Sequence, residues 1–154
     1  GAVLDAIEGL PLAHQAADLA TAWHETAATM QPVTEAFWKS EDWRRKNLRY
    51  YPHHGRGYVQ LTWPKNYARA DAELDLGGTL IANPDRALEP QIAARIMRLG
   101  MEEGWFTGKK NSDYLPATGK ATRPQFEQHR RVINGVDKAA LIAGYALTFQ
   151  DALS

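Results

Sequence analysis

Glu25 stands beside Trp23 in a largely apolar stretch, and Glu35, Glu41 and Asp42 follow it closely. Two carboxyl groups facing one cleft can hydrolyse a glycosidic bond. One must be a carboxylic acid that protonates the leaving oxygen, and apolar surroundings favour that neutral form of a carboxyl group. The other serves either as a nucleophile about 5–5.5 Å away or as a base about 6.5–9.5 Å away, with a water between. Glu25 fits the acid, whereas spacing alone does not rank Glu35, Glu41 and Asp42 for the second role.

The pair His24-Glu25 also begins like a zinc-protease helix, which needs His-Glu-x-x-His to set two imidazoles one turn apart. Ala28 occupies the place of the second histidine, so that signature is absent. His53 and His54 are neighbours, and adjacent residues of an extended segment point to opposite faces, which argues against their completing a site with His24. No metal or cofactor is expected. The chain contains no cysteine, which excludes disulfides, thiolate zinc sites and a cysteine nucleophile together.

These side chains need elements to hold them. Ala17, Leu19, Ala20, Trp23 and Ala27 recur at helical spacing with no Gly or Pro between them, which predicts a helix from His14 to Met30, stopped by Pro32. Glu25 then lies near its C-terminal end. Trp38 to His54 has no clear period and reads as an irregular excursion holding a short helix. Tyr58 to Trp63 is rich in aromatic and β-branched residues, and Pro64 follows; as a strand it would show Tyr58, Gln60 and Thr62 on one polar face. Further helices are expected at Asn66–Leu76, ended by Gly77-Gly78, and at Pro90–Phe106, with Ile92, Ile96, Met97 and Leu99 inward. Asn83-Pro84-Asp85 reads as a turn, Thr107–Thr122 as a surface loop, and Asp137–Leu153 as a final helix burying Leu141, Tyr145 and Phe149.

At 154 residues, with 44% hydrophobic and 23% charged side chains, the chain suits one domain, residues 1–154, that folds without disulfides. Its 18 basic and 18 acidic residues cancel, which argues against bulk attraction to nucleic acid. The balance is uneven, however. Trp43 to Arg56 holds five basic residues and no acid, and Lys109 to Lys138 seven basic against three acidic. Such patches suit solvated faces or an anionic polymer. No apolar run is long enough to span a bilayer. Gly1 to Leu12 carries Asp5 and Glu8 instead of a basic leader region, so no export signal is expected there. A chain opening on Gly is compatible with a piece of a longer protein.

His24-Glu25-Thr26 closes a helix, and Thr34-Glu35-Ala36-Phe37-Trp38 follows. Gly55-Arg56-Gly57-Tyr58-Val59-Gln60-Leu61-Thr62 and Asn66-Tyr67 come next, then Arg130-Arg131-Val132-Ile133-Asn134-Gly135. In this order the set resembles glycoside hydrolase family 19, and most closely its phage and bacterial endolysin branch, over about Leu19 to Leu153. The resemblance implies a mainly α (α+β) lysozyme-like single domain with a small β-hairpin or sheet beside the cleft. It further implies an inverting hydrolase of N-acetylated sugar polymers that uses no metal. By match to the motifs, Glu25 is the general acid and Glu35 the general base, with Glu41 in reserve. Thr62 holds the attacking water, and Gln60, Asn66 and Asn134 bond the sugar. His24, Tyr58 and Arg56 complete the candidate substrate-binding set; Tyr58, on the polar face with Gln60 and Thr62, suits stacking on a sugar ring and core packing equally.

Two positions depart from the pattern. Ala27-Ala28 replaces a common glycine pair, which predicts a more helical turn after the acid, and Val136 stands where a second glycine is common. The implied substrate is peptidoglycan, with chitin as the alternative, and a glycan-binding module without activity is the reading from another class. The enzyme is expected to be a monomer with no nucleic-acid or integral-membrane partner. It is further expected to be made in the cytoplasm and to act on the cell wall after release or export.

Overall fold

Small apolar residues at Ala13, Ala16, Ala17 and Ala20, uninterrupted by Gly or Pro, make one helix face narrow enough for another helix to approach closely. That face organises the computed structural model, which describes residues 1–154. The α-helices are α1 (Ala2–Ile7), α2 (Leu12–Glu25), α3 (Glu41–Asn47), α4 (Pro64–Glu73), α5 (Thr79–Ala82), α6 (Pro90–Glu103), α7 (Arg123–His129) and α8 (Ala139–Leu153). Short 3₁₀ turns lie at Pro84–Leu88, Asn111–Asp113 and Arg130–Val132. Two strands, β1 (Val33–Thr34) and β2 (Arg56–Gly57), pair antiparallel with Val33 opposite Gly57 and Thr34 opposite Arg56. This is the expected mainly helical architecture with a small sheet.

The alanine face of α2 packs against Ile142, Ala143 and Ala146 of α8, and Phe126 of α7 closes that core. A second core joins α1 and α6 to Leu19, Tyr58, Val59 and Val132. A third, around Leu61, Tyr67, Leu80 and Trp105, seats α4 and α5 against α6. No helix is long and apolar enough to cross a membrane.

Several expectations change. Helix α2 ends at Glu25, five residues before Met30. Thr26 Oγ1 donates to Ala22 O at 2.7 Å and accepts from the Met30 N–H at 3.0 Å, so one side chain replaces continued helical bonding. Ala27, Ala28 and Met30 have φ of 52°, 66° and 54°. The turn is therefore left-handed, not more helical, despite a cost of roughly 1–2 kcal/mol for each side-chain-bearing residue in that conformation.

The stretch Tyr58–Trp63 is likewise not a strand. Arg56 and Leu61 exchange backbone hydrogen bonds of 3.1 and 2.8 Å around a tight turn in which Gln60 has φ of 58°. Its β-forming residue types reflect burial, since Tyr58, Val59 and Leu61 all enter the core. Helices α1 and α7 were not legible as such. On α8, Leu141 faces solvent and Gln150 is buried, because a helix apolar on most sides does not declare its inner face by period.

A buried polar network ties α2, α6 and α7 together. Asn111 Nδ2 donates to Asp18 Oδ1 at 3.0 Å and to Glu102 Oε1 at 2.8 Å, and the His14 ring bonds the same Glu102 oxygen at 2.9 Å. Asn111 Oδ1 must accept from His129 Nε2, 2.5 Å away, because the amide nitrogen supplies both other bonds. Burial pulls the His129 imidazole down to about 3. It pushes the Asp18 carboxyl well above the usual carboxylate range, against the hydrogen bond from Asn111.

The two groups act oppositely on stability. Neutral His129 contributes above about pH 6.5, and that contribution is lost as pH falls toward 3. Protonated Asp18 contributes at acid pH, and its share is lost as pH rises through the raised value. As pH rises from the ordinary carboxylate range through its raised value, Asp18 should therefore make the urea midpoint fall relative to a protein without that charge. Asp18→Asn, which keeps the acceptor without the charge, should flatten that fall. Equal slopes for the two proteins would refute this role.

Candidate active site

The end of α2 delivers Glu25 into a cleft of about 300 Å³, where Gln60, Thr62, Asn66 and Asn134 supply the other polar groups. Val59, Phe106 and Ile133 form its apolar lining, and Trp63 its rim. Phe106 can stand there because Gly100 of α6 leaves room. A Cβ on Gly100 would come within 2.5 Å of the ring.

Glu25 is held from the far end of the chain. Arg130, immediately after α7, donates from Nη1 to Glu25 Oε1 at 2.7 Å across a separation of 105 residues. The arginine side chain is 3% exposed and the glutamate 20%. Arg130 Nε also donates to Asp137 O at 2.9 Å, so the guanidinium is fixed at two points. Glu25 Oε2 has no hydrogen-bond partner within the protein and is the oxygen left for a substrate.

Glu35 is positioned by the sheet. Its N–H donates to Gly55 O at 2.8 Å, and the Gly55 N–H returns a bond to Glu35 Oε1 at 2.9 Å. The carboxylate is thereby clamped to the strand preceding the Gln60 turn. Glycine at 55 leaves room for both side chains: a Cβ there would lie 2.7 Å from Gln60 Oε1 and 3.1 Å from Glu35 Oε1, so the two flexible ends would have to shift. Gly55→Ala is expected to displace both side chains and lower kcat/KM by at least about tenfold, given that misplacing a catalytic group by 1 Å can cost about a hundredfold. Wild-type turnover by that variant would contradict the clamp.

The remaining polar groups brace their own loop. Gln60 Nε2 donates to Val33 O at 3.0 Å, linking the turn to β1. Thr62 Oγ1 donates to Gln60 O at 3.0 Å, which leaves its lone pairs free to accept from a water. Asn66 Nδ2 donates to Thr62 O at 2.9 Å from the first turn of α4.

Not every candidate reaches the cleft. Tyr58 is 2% exposed and borders an apolar groove with Trp23 and Phe149, where it cannot stack on a cleft-bound sugar. Arg56 is also buried. It donates to Asp85 at 3.0 Å, Tyr67 Oη at 2.9 Å and Pro52 O at 2.7 Å, and so pins the loop before β2 to α4. Tyr67 answers by donating to His54 O at 2.6 Å, and burial pushes its phenol up to about 12. His24 is half-buried beside Glu25 and does not line the cleft.

Glu41 lies on the exposed face of α3, with Tyr51 Oη donating to it at 2.5 Å and Arg44 Nη2 at 2.9 Å. The Tyr51 hydroxyl, then Arg44, hold its carboxyl below the usual range. Asp42 pairs with Arg45 and Lys46. No cluster of His, Asp and Glu is arranged to hold a metal ion. The pairing of Arg130 with Glu25 is not legible in the sequence, although Arg130 opens the Arg130–Gly135 motif, and neither are the places of Gly55, Phe106 and Trp63 at the cleft.

A helical domain with a two-strand sheet at a polar cleft defines the lysozyme-like α+β class. The chain has a fold of the glycoside hydrolase family 19 kind. It matches the crystal structure of chitinase C from Streptomyces griseus HUT6037 with a TM-score of 0.64 at 20% identity, over 99% of this chain and 68% of that one. No family model and no curated protein matches it.

Proposed function

We propose that this chain is a glycoside hydrolase that cuts the glycan strands of bacterial peptidoglycan with inversion at the anomeric carbon. The observation that carries the reading is the convergence of Glu25, Gln60, Thr62, Asn66 and Asn134 on one cleft, with Glu35 clamped beside Gln60. Glu25 protonates the leaving glycosidic oxygen. Glu35 takes a proton from a water that Thr62 orients, and the water attacks from the opposite face of the sugar. The products are one strand with a new reducing end and one with a new non-reducing end; Glu35 releases the proton it took, and Glu25 regains one from solvent.

The basic character of Trp43–Arg56 and Lys109–Lys138 supports an anionic wall polymer as substrate. A phage-type lysis role, with action at the wall after release or export, fits this chemistry. Chitin is the second reading, favoured by the name of the structural neighbour.

The deciding experiment is lysis of outer-membrane-permeabilised Gram-negative cells, with the released products sized by mass spectrometry. Disaccharide-peptides with hydrolysed reducing ends are expected. Free stem peptides instead would sink the glycosidase reading, and faster turnover of chitin oligomers than of wall would transfer it to chitin. Thr62→Val should lower kcat about tenfold with KM changed by less than about twofold, since the hydroxyl positions water and not the sugar. A rise in KM alone would reassign Thr62 to sugar binding.

A further inference from the structure

The cleft does not end at Asn66. Trp63, Asn66 and Phe106 are shared with an adjoining pocket of about 370 Å³ whose remaining walls are Lys65, Arg69 and Trp105. Lys65 and Arg69 stand one turn apart on α4, so their charges are neighbours and repel. Lys65 also lies in the first turn of that helix, at its positive end, where a cation is disfavoured.

Neither cation is neutralised. The chain's ion pairs, at a limit of 4.0 Å, include neither residue, and neither side chain makes a hydrogen bond. The acids closest in sequence, Asp71 and Glu73 on the same helix, form no ion pair with either cation; Asp71 accepts instead from the Gly78 and Leu80 N–H groups at 2.8 Å, and Glu103 from Trp105 Nε1 at 3.1 Å. Each cation rests on an indole, with Lys65 Nζ 5.7 Å from the Trp63 ring and the Arg69 guanidinium 5.2 Å from the Trp105 ring. Those contacts hold the charges beside the pocket without cancelling them. Both side chains are exposed, so their charges are open to a ligand that enters the pocket.

We propose that this pocket binds a carboxylate-bearing substituent of the glycan, namely the lactyl-peptide arm of a muramic residue whose backbone occupies the cleft. Lys65 and Arg69 thereby set a preference for peptide-substituted glycan over neutral chitin. The idea rests on the peptidoglycan reading above, but its binding test does not require turnover.

Chemical-shift titrations with N-acetylmuramyl dipeptide as the acidic probe and N-acetylglucosamine as the neutral one supply that test. For wild type, the acidic probe should bind more tightly, and its advantage should shrink as salt is raised. Lys65→Gln/Arg69→Gln should reduce affinity for the acidic probe by about tenfold or more relative to the neutral probe, the scale of a lost charge-assisted hydrogen bond. The charge-preserving Lys65→Arg/Arg69→Lys protein should keep the preference within about threefold. A cooperative thermal melt and retained binding of the neutral probe establish that each variant is folded.

Equal affinity of wild type for the two probes, or a parallel loss of both in the Gln variant, overturns the proposal. Charge-dependent binding without any glycan cleavage leaves this site standing and removes the hydrolase reading. Cleavage of glycan strands with no charge-dependent preference does the reverse.

Discussion

Glu25→Gln is expected to lower kcat by about a hundred- to ten-thousand-fold, the usual contribution of a positioned general acid. The amide keeps the shape of the side chain but cannot donate the proton that the leaving oxygen needs. Its consequence for the fold is set by Arg130, whose side chain is 3% exposed and whose Nη1 bonds Glu25 Oε1 at 2.7 Å. Gln still offers an oxygen to that donor, so the hydrogen bond to the buried guanidinium survives. Breaking a buried pair entirely costs about 3–5 kcal/mol. The isostere, which keeps the hydrogen bond, should cost less and melt cooperatively below wild type. Steady-state turnover of wall fragments together with thermal unfolding separates the two effects. Retained activity in a folded Glu25→Gln protein removes Glu25 from the acid role.

The second large effect is at Glu35. Glu35→Gln retains the oxygen that accepts from the Gly55 N–H, so the β1–β2 pairing and the Gln60 turn should survive. What disappears is the capacity to take a proton from water, again worth about a hundred- to ten-thousand-fold in kcat. Glu41→Gln is the control, because Tyr51 and Arg44 already engage that carboxylate on the exposed face of α3. A change of less than about twofold is expected there. If the large loss appears at Glu41 and the small one at Glu35, the base is misassigned.

Much of this molecule was readable along the chain wherever one element contains its own explanation. The uninterrupted small apolar run of α2 and the inward Ile92, Ile96 and Met97 of α6 follow from spacing within a single helix, whereas α4 stops at Glu73, ahead of the expected Gly77-Gly78 end, through a left-handed Asp75. The motif order also picked out Glu25, Gln60, Thr62, Asn66 and Asn134, which share one cleft. The strand rule put Gln60 and Thr62 together by alternation. In the structure a tight turn with a left-handed Gln60 does so instead.

The other results depended on packing between distant segments. Tyr58 and Arg56 looked like sugar ligands because aromatic and basic types serve sugars and core equally well. Only the apposition of α4, α6 and the small sheet turned both inward. Arg130 reaches Glu25 because the Asn111–His129 contact and the α7–α8 core fix the segment in which it lies. The sequence by itself determined the longer helices, the freedom from cysteine chemistry and the candidate carboxylates, since spacing and residue type act over one or two turns. The tertiary structure decided which carboxylate meets a cation, which aromatic is core and where the cleft continues, since those contacts join residues that no local period relates.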